Sequence, residues 1–294
     1  MITALPDKPI GVAVCGEDHA ALMFAVAEAR RTNGRLCLVH AIDRAAAPPI
    51  SLLLTYQDAE EVGARLLSDA ASLVEDATSG AVVTQKVARH GAAVQVLVQE
   101  SERARLVVLQ HRSLSRVGRI FTGSVSTAVA ARAHCPVVSV PAPWRSGEHG
   151  GHVVVGLDEA GEPLAALQAA FEQARLRNVP LMVAHAWRVE SPYEGSPADG
   201  FETEWRMHAG RMLSEALDQV IADFPGVKVT TELRYQAPAD ALSEIASDAA
   251  LLILGRRSRR GPLRIGSLAR ASLRVAECPV MIVPVGTSRP GDDW

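Results

Sequence analysis

A single internal duplication constrains this chain of 294 residues more than any other feature of its sequence. The segment HCPVVSVP at 134–141 returns as ECPVMIVP at 277–284, and Leu106–Leu109 returns as Leu251–Leu254. The matched blocks keep their order, and the distance between partners stays close to half the length of the chain. Because each repeated unit has the size of a domain, the sequence predicts two tandem copies of one domain rather than a solenoid of short repeats.

The boundary between the copies is predicted at residues 141–151, where the sequence PAPWRSGEHGG is rich in proline and glycine. We therefore expect a first domain at 1–141, a linker at 142–151 and a second domain at 152–294. Hydrophobic residues make up 48% of the chain, which is enough for each domain to bury a core of its own. Trp144, inside the linker, is expected to anchor one half of the chain on the other.

Each copy alternates short apolar runs, rich in Val, Leu and Ile, with longer amphipathic segments. Runs that are apolar throughout are typical of parallel strands buried on both faces, and the segments between them have helical spacing. The pattern predicts an α/β fold with two tandem, open, doubly wound parallel five-stranded sheets flanked by helices. The predicted strands lie near 10–14, 35–41, 81–88, 105–109 and 136–140 in the first copy, and near 152–157, 180–187, 227–234, 250–254 and 279–284 in the second.

Two local signals make predictions about individual helices. Asp18 directly precedes the first predicted helix, where we expect it to act as the N-cap. In the segment 202–222, apolar side chains recur every three or four residues and predict one buried helical face. Its members are Trp205, Ala209, Met212, Ala216 and Val220.

Composition excludes several classes of function. The net charge of −3 and the 4% of aromatic residues argue against a whole-surface nucleic-acid binder and against a stacking platform for single strands. No apolar run reaches the roughly 18 residues of a membrane-spanning helix, and the first ten residues show no secretory pattern. No cysteine pair has the CxxC spacing, so we expect buried, reduced thiols in a cytoplasmic protein with no nucleic-acid or membrane partner.

Open α/β sheets bind ligands outside the carboxyl ends of their strands, where the strand order reverses. The last helix of each copy begins there with a Gly-Ser pair, Gly123-Ser124 and Gly266-Ser267. Such a start suits a phosphate, because it offers free N–H groups at the positive end of the helix dipole; simple N-capping by serine is the alternative. The loop before the second pair holds five arginines, which suit a polyphosphate, an acidic partner or a merely solvated loop: Arg256, Arg257, Arg259, Arg260 and Arg264.

His40 and His185 occupy equivalent ends of the second strand in the two copies. Such a pair suits either a metal site or a hydrogen-bonded structural role. Because no cluster of cysteines or carboxylates accompanies either histidine, we expect the structural role and no metal.

These residues give nearly the whole chain a resemblance to tandem universal stress proteins. The family has an aspartate after strand one, a histidine at the end of strand two, a G-x2-G-x9-G-[ST] loop after strand four and a final C-P-V strand. His40, His185 and the Cys-Pro-Val segments at 135–137 and 278–280 match it. The resemblance implies an adenine-nucleotide alpha hydrolase-like fold, pairing of the halves through their last strands as a pseudo-dimer, and a regulator without catalytic residues. Further homodimerisation stays open.

The first copy departs from the family's ATP-binding pattern. Cys15 stands at the position of the aspartate, and Gln110 and Ser113 replace the two loop glycines, whereas Gly123 and Ser124 are kept. Gln110 is expected to put a side chain where the ligand would lie, so this site is predicted to be vestigial. Cys15 itself is either an unreactive residue that fills the vacated site or, if exposed near a cation, a redox-sensitive thiol.

The second copy keeps more of the pattern, with Asp158 and Gly255 in place. Ser258 replaces the second glycine, and seven residues rather than nine separate it from Gly266. The resemblance therefore implies at most a weak ATP site. Its residues would be Asp158 for the ribose, Ala186 and Leu254 beside the adenine, Gly255, Gly266 and Ser267 for the phosphates, and Ser258 in the shortened loop.

Two functions from different classes follow. One is a stress-response regulator that senses an adenine nucleotide in its second domain. The other is a nucleotide-independent module that binds an unknown protein partner through its surface. A weak ATPase ranks third, because no residue suggests itself as a general base.

Overall fold

The structure of the protein is a computed structural model that describes residues 8–43, 56–111, 123–147, 150–158, 163–188, 199–256 and 265–284. The chain divides into two compact units, the first described as far as Gly147 and the second from Gly150 onward. Both units have the α/β architecture that the sequence predicts.

The first unit is one parallel sheet with the strand order β3-β2-β1-β4-β5. A helix joins each strand to the next one along the chain, which gives the parallel β-α-β arrangement. In chain order its elements are β1 (Ile10–Ala13), α1 (His19–Thr32), β2 (Leu36–Ile42), α2 (Tyr56–Thr78), β3 (Thr84–His90), α3 (Ala93–Glu100), β4 (Leu106–His111), α4 (Gly123–Ala130) and β5 (Val137–Pro141).

The second unit repeats this topology, with the strand order β8-β7-β6-β9-β10 and every pair of neighbouring strands parallel. A short 3-10 helix at Ile221–Asp223 follows its second helix. In chain order its other elements are β6 (Val153–Gly156), α5 (Pro163–Arg177), β7 (Leu181–Trp187), α6 (Asp199–Asp218), β8 (Val229–Tyr235), α7 (Pro238–Ile245), β9 (Leu251–Gly255), α8 (Ser267–Val275) and β10 (Val280–Val283).

Each predicted strand is present, with ends that shift by at most a few residues. The central strands are apolar throughout and buried, as in β6, where Val153, Val154 and Val155 are all inaccessible to solvent. In each unit the strand order reverses at one place, between β1 and β4 in the first and between β6 and β9 in the second. These two reversals are the switch points at which a sheet of this type leaves a crevice.

Helix α6 corrects one detail of the predicted core. Ala209, Ala216 and Val220 are buried as expected, but Trp205 is 40% exposed and neighbouring Met207 is 59% exposed. Every residue from 203 to 208 is exposed, so this turn of the helix does not pack on the sheet. Helical spacing identifies the face that a helix turns inward, but burial also requires a sheet beneath that turn.

The segment that the sequence assigns to the linker begins by packing on the first unit. The Ala142 N–H donates to the carbonyl of His111 at 3.0 Å, which prolongs the contact between β4 and β5. Trp144 is buried, and its ring meets Phe24 of α1 edge-on, with 5.5 Å between the centroids. Trp144 therefore contributes to the core of the first unit.

No helix in the described part of the chain is long and apolar enough to cross a membrane.

Candidate functional site

The second switch point brings together Asp158 and Gly255, two residues that are almost 100 positions apart in the sequence. Strands β6 and β9 run parallel with Gly156 level with Leu254, so their carboxyl ends meet at one edge of the sheet. Asp158 follows the end of β6 by two residues, and Gly255 is the last residue of β9. The predicted ribose-binding carboxylate and the first loop glycine therefore flank the crevice at which doubly wound sheets bind ligands.

Backbone hydrogen bonds beyond the strand ends fix these positions. The Leu157 N–H donates to the carbonyl of Ala184 at 2.9 Å, and the Arg256 N–H donates to that of Val283 at 2.7 Å. Ala186 lies two residues nearer the carboxyl edge on β7 than Ala184, which is level with Gly156. Leu254 is buried, while Ala186, Gly255 and Asp158 are half-buried.

The two glycines at the second switch point serve different purposes. A Cβ atom on Gly156 would lie 2.7 Å from methyl groups of both Leu242 and Leu254, so the packing of the sheet requires glycine there. A Cβ atom on Gly255 would find only the Cβ of Ala166, at 3.7 Å, which is an ordinary contact. Gly255 is thus not demanded by the surrounding packing, and its missing side chain leaves the crevice open.

Helix α8 begins at Ser267, after Gly266 in an extended conformation. Gly266 occupies the N-cap position and Ser267 is the first helical residue, so the alternative of N-capping by serine is wrong here. The first N–H groups of α8 have no intrahelical partner and suit an anion. The loop that precedes α8, with Ser258 and four of the five arginines, lies outside the described residues, as does Ser113 with its loop in the first unit.

The two histidines have the structural role expected from the sequence. The His40 Nδ1–H donates to the carbonyl of Val14 at 2.8 Å, and the His185 Nδ1–H donates to that of Leu157 at 2.9 Å. Each bond ties the second strand of its unit to the chain just beyond the first strand. The described residues contain no group of three side chains able to hold a metal ion.

An aromatic cluster that sequence reasoning missed accompanies His185. Its ring stacks on Trp187 with 5.6 Å between the centroids, and Trp187 meets Tyr235 edge-on at 6.1 Å. Trp187 and Tyr235 are level with each other on β7 and β8, a register that the sequence pattern does not give. The cluster stiffens the carboxyl edge of β7 beside Ala186.

Around the first switch point, Asp18 has a different role from the one predicted. The N–H groups of Cys15 and Gly16 donate to its carboxylate, the latter at 2.8 Å, and the Cys15 thiol donates to it at 3.0 Å. Asp18 is only 5% exposed and makes no side-chain capping bond to α1. The carboxylate therefore organises the loop after β1 rather than the helix that follows.

Gln110 provides the capping bonds instead. Its Oε1 accepts from the N–H groups of Ala20 at 2.9 Å and Ala21 at 3.2 Å, and its Nε2 donates to the carbonyl of Glu17. The side chain thus extends from β4 to the first turn of α1, beside the switch point. Gly123 begins α4, as its place in the Gly-Ser pair predicts.

The four thiols fall into two groups. Cys37, Cys135 and Cys278 are buried as expected, and burial raises the pKa of Cys37 to about 11 and those of Cys135 and Cys278 to about 12. A thiol so far from ionisation is unreactive near neutral pH and acts as a packing residue. Cys15 is exposed, against the expectation of four buried thiols.

The fold and the switch points define a tandem α/β protein with two domains of one design. Comparison with known proteins identifies that design, because the model of the universal stress protein family matches residues 8–141 and again residues 151–284. The chain therefore belongs to the universal stress protein family, in tandem form.

Relatives of similar length support the assignment. Universal stress protein Rv2623 of Mycobacterium tuberculosis is 29% identical over 298 residues, covering 96% of this chain and 95% of its own. Universal stress protein Rv1996 of the same organism is 28% identical over 291 residues, covering 91% of both chains. A crystal structure of a universal stress protein from Archaeoglobus fulgidus matches 95% of this chain and 97% of its own, with a TM-score of 0.66 and 16% identity, which supports the fold.

Proposed function

We propose that this universal stress protein is a non-catalytic stress-response regulator whose second domain binds an adenine nucleotide, most simply ATP, with low affinity. One observation carries the proposal: the adjacent strand ends of β6 and β9 hold a carboxylate, Asp158, beside a glycine, Gly255, that local packing does not require. A ligand that brings hydroxyl groups and a chain of phosphates needs both an acceptor and an open backbone.

Each residue of the proposed site has a defined chemical role. The Asp158 carboxylate accepts hydrogen bonds from the ribose hydroxyls, and Ala186 and Leu254 lie beside the adenine. The backbone at Gly255 allows close approach, and the N–H groups at the start of α8, with the Ser267 hydroxyl, bind phosphate oxygens. Ser258 belongs to the proposed site through the family resemblance, and the arginines of its loop belong to it through the charge that they offer to phosphates.

A nucleotide-independent interaction module is the second candidate function. The shortened loop favours it, because seven residues rather than nine separate Ser258 from Gly266 and the loop N–H groups have less reach toward a phosphate. In that case the surface alone, including the arginines, binds an acidic protein partner. The pseudo-dimer through the last strands and the absence of catalysis stay predictions from the resemblance, further homodimerisation stays open, and the cytoplasmic location stays a prediction from the sequence pattern.

Calorimetric titration of the full-length protein with ATP tests the proposal. We expect binding in the micromolar to millimolar range and a loss of at least about tenfold in Asp158→Ala, because hydrogen bonds to a charged acceptor are worth about 1.5–3 kcal/mol each. Cys15→Ala, the matched change at the equivalent position of the first domain, should leave the affinity unchanged.

The alternatives give different results in the same experiment. Absence of heat up to millimolar ATP would contradict the sensor and favour the interaction module. Release of phosphate during incubation, lost in Asp158→Ala, would show instead that the protein is a weak ATPase.

A further inference from the structure

The free N–H groups in the first turn of α1 are hydrogen-bonded by a side chain from a distant part of the chain. The first N–H groups of a helix have no intrahelical partner and must find another acceptor. In α1 the N–H groups of Ala20 and Ala21 both donate to Oε1 of Gln110, which lies about 90 residues further along the chain. The same amide donates through Nε2 to the Glu17 carbonyl, so one side chain makes three hydrogen bonds across the switch point.

The backbone N–H groups of the loop between β1 and α1 also find an acceptor within the same loop. Its Cys15 and Gly16 N–H groups donate to the buried carboxylate of Asp18, and Gly16 adopts the positive φ of 109° that turns its N–H inward. A carboxylate on adjacent backbone N–H groups is the arrangement by which loops of this kind bind external anions. Here the backbone N–H groups donate to the chain's own side chains, the carboxylate of Asp18 and the amide of Gln110.

The second domain differs at the positions concerned. In the repeat, Leu109-Gln110 matches Leu254-Gly255 at the ends of β4 and β9, while Cys15 matches Asp158 and Asp18 matches Gly161. Gly255 has no side chain with which to reach α5. Among these differences, the strand beside the crevice carries an amide side chain, Gln110, in the first domain and a glycine, Gly255, in the second.

We propose that Gln110 is the chain's own ligand at the first switch point, and that it thereby decides which of the two domains accepts a nucleotide. A nucleotide that enters the first crevice beside α1 has to displace the Gln110 side chain and break its three internal hydrogen bonds. The first part of this proposal, that Gln110 closes the switch point of the first domain, is argued from the contacts of Gln110 alone. The second part, that a nucleotide therefore selects the second domain, rests on the proposed function.

Hydrogen exchange of the full-length, nucleotide-free protein tests the closure. The Ala20 and Ala21 amides should be protected in the wild type and should exchange at least about tenfold faster in Gln110→Ala, since a lost cap frees them to water. Gln110→Glu keeps the acceptor oxygen and should retain most of the protection. Gln99→Ala, on the exposed side of α3, is the matched control and should change nothing. Unprotected Ala20 and Ala21 amides in the wild type would overturn the proposal.

The second part of the proposal, that Gln110 decides which domain binds a nucleotide, is tested by engineering ATP binding into the first domain. In an Asp158→Ala background, the combined changes Cys15→Asp, Asp18→Gly and Gln110→Gly give the first domain the three residues of the second. We expect this variant to regain one ATP site by calorimetry, whereas the same variant with Gln110 retained should bind at least about tenfold more weakly. Thermal melts of both proteins establish that they are folded.

Equal affinity with and without Gln110, or no binding by either variant while the wild-type second domain binds ATP, would overturn the selecting role. If the wild type binds no ATP, the proposed function fails, and the hydrogen-exchange result then decides the closure by itself.

Discussion

Gly255 and Gly156 lie one residue apart in the register of β9 and β6, yet the structure gives them opposite constraints. Around Gly156 the methyl groups of Leu242 and Leu254 leave no volume for a side chain. Beside Gly255 there is room for a Cβ atom, so packing does not require glycine there. The sequence does not distinguish these two glycines, and only the distances to their neighbours in the structure do.

This difference predicts opposite outcomes for two alanine substitutions. Gly156→Ala should lower the free energy of unfolding by about 1–3 kcal/mol, because the added methyl overpacks the sheet. Gly255→Ala should change it by less than about 0.5 kcal/mol but should weaken ATP binding, because the methyl enters the crevice. Urea denaturation and calorimetry measure the two effects. A Gly255→Ala protein with unchanged stability and unchanged affinity would contradict the role of that backbone in the site.

At the scale of the element, the helices α2 and α6 occupy equivalent places but differ in how closely they approach the sheet. Gly63 of α2 packs against the second-strand histidine, and a Cβ there would lie 2.8 Å from Cδ2 of His40. In α6 the buried Ala209 carries a methyl group, for which α2 has no room at Gly63. Gly210, the next residue, has no neighbour within 4 Å of an added Cβ.

Substitution of the two helical glycines measures this difference. Gly210→Ala should raise the free energy of unfolding by up to about 1 kcal/mol, since alanine restricts the unfolded chain and favours the helix. Gly63→Ala gains the same propensity but should lower stability by about 1–3 kcal/mol, because the His40 ring must move from its bond to the Val14 carbonyl. Stabilisation by both substitutions, measured by thermal and urea unfolding, would show that α2 does not constrain His40.

At the scale of the whole molecule, both units bury thiols whose ionisation is suppressed. Cys37 and Cys135 lie in the first unit and Cys278 in the second, and burial raises each pKa from the ordinary 9.0 to about 11 or 12. Above pH 9 the unfolded chain loses these protons while the folded chain keeps them. The folded state then binds more protons than the unfolded state, so stability must fall as the pH rises.

We expect the free energy of unfolding to fall by about 1 kcal/mol for each buried thiol between pH 8 and pH 10. The loss arises between the unfolded pKa and the folded pKa and is absent below pH 8. Urea denaturation at both pH values measures it, and the double variant Cys135→Ala/Cys278→Ala isolates it from other groups that titrate there. A pH effect of the same size in this variant would show that the buried thiols do not cause it.

The strands, the two-domain organisation and the residues at the strand ends could be predicted because they depend on local pattern. Runs such as Val153–Val155 have only one stable environment, a sheet covered on both faces, and a repeat of domain length requires that this environment occur twice. Asp158 and Gly255 then meet at a switch point by topology alone. Trp205 was assigned wrongly, because its burial depends on where the sheet ends. Asp18 occupies the predicted N-cap position but makes no capping bond, because the distant Gln110 supplies the acceptor.

The sequence by itself determined the class of fold and the duplication, since apolar runs, helical periodicity and the repeat can be read from the order of residues; the rule for open α/β sheets then gave the place of each crevice. The tertiary structure decided how the two crevices differ. Hydrogen bonds from the Ala20 and Ala21 N–H groups to Oε1 of Gln110 join parts of the chain that only folding brings together, and the free volume beside Gly255 depends on Ala166. Contacts between residues far apart in the chain are set by packing, which no local pattern specifies.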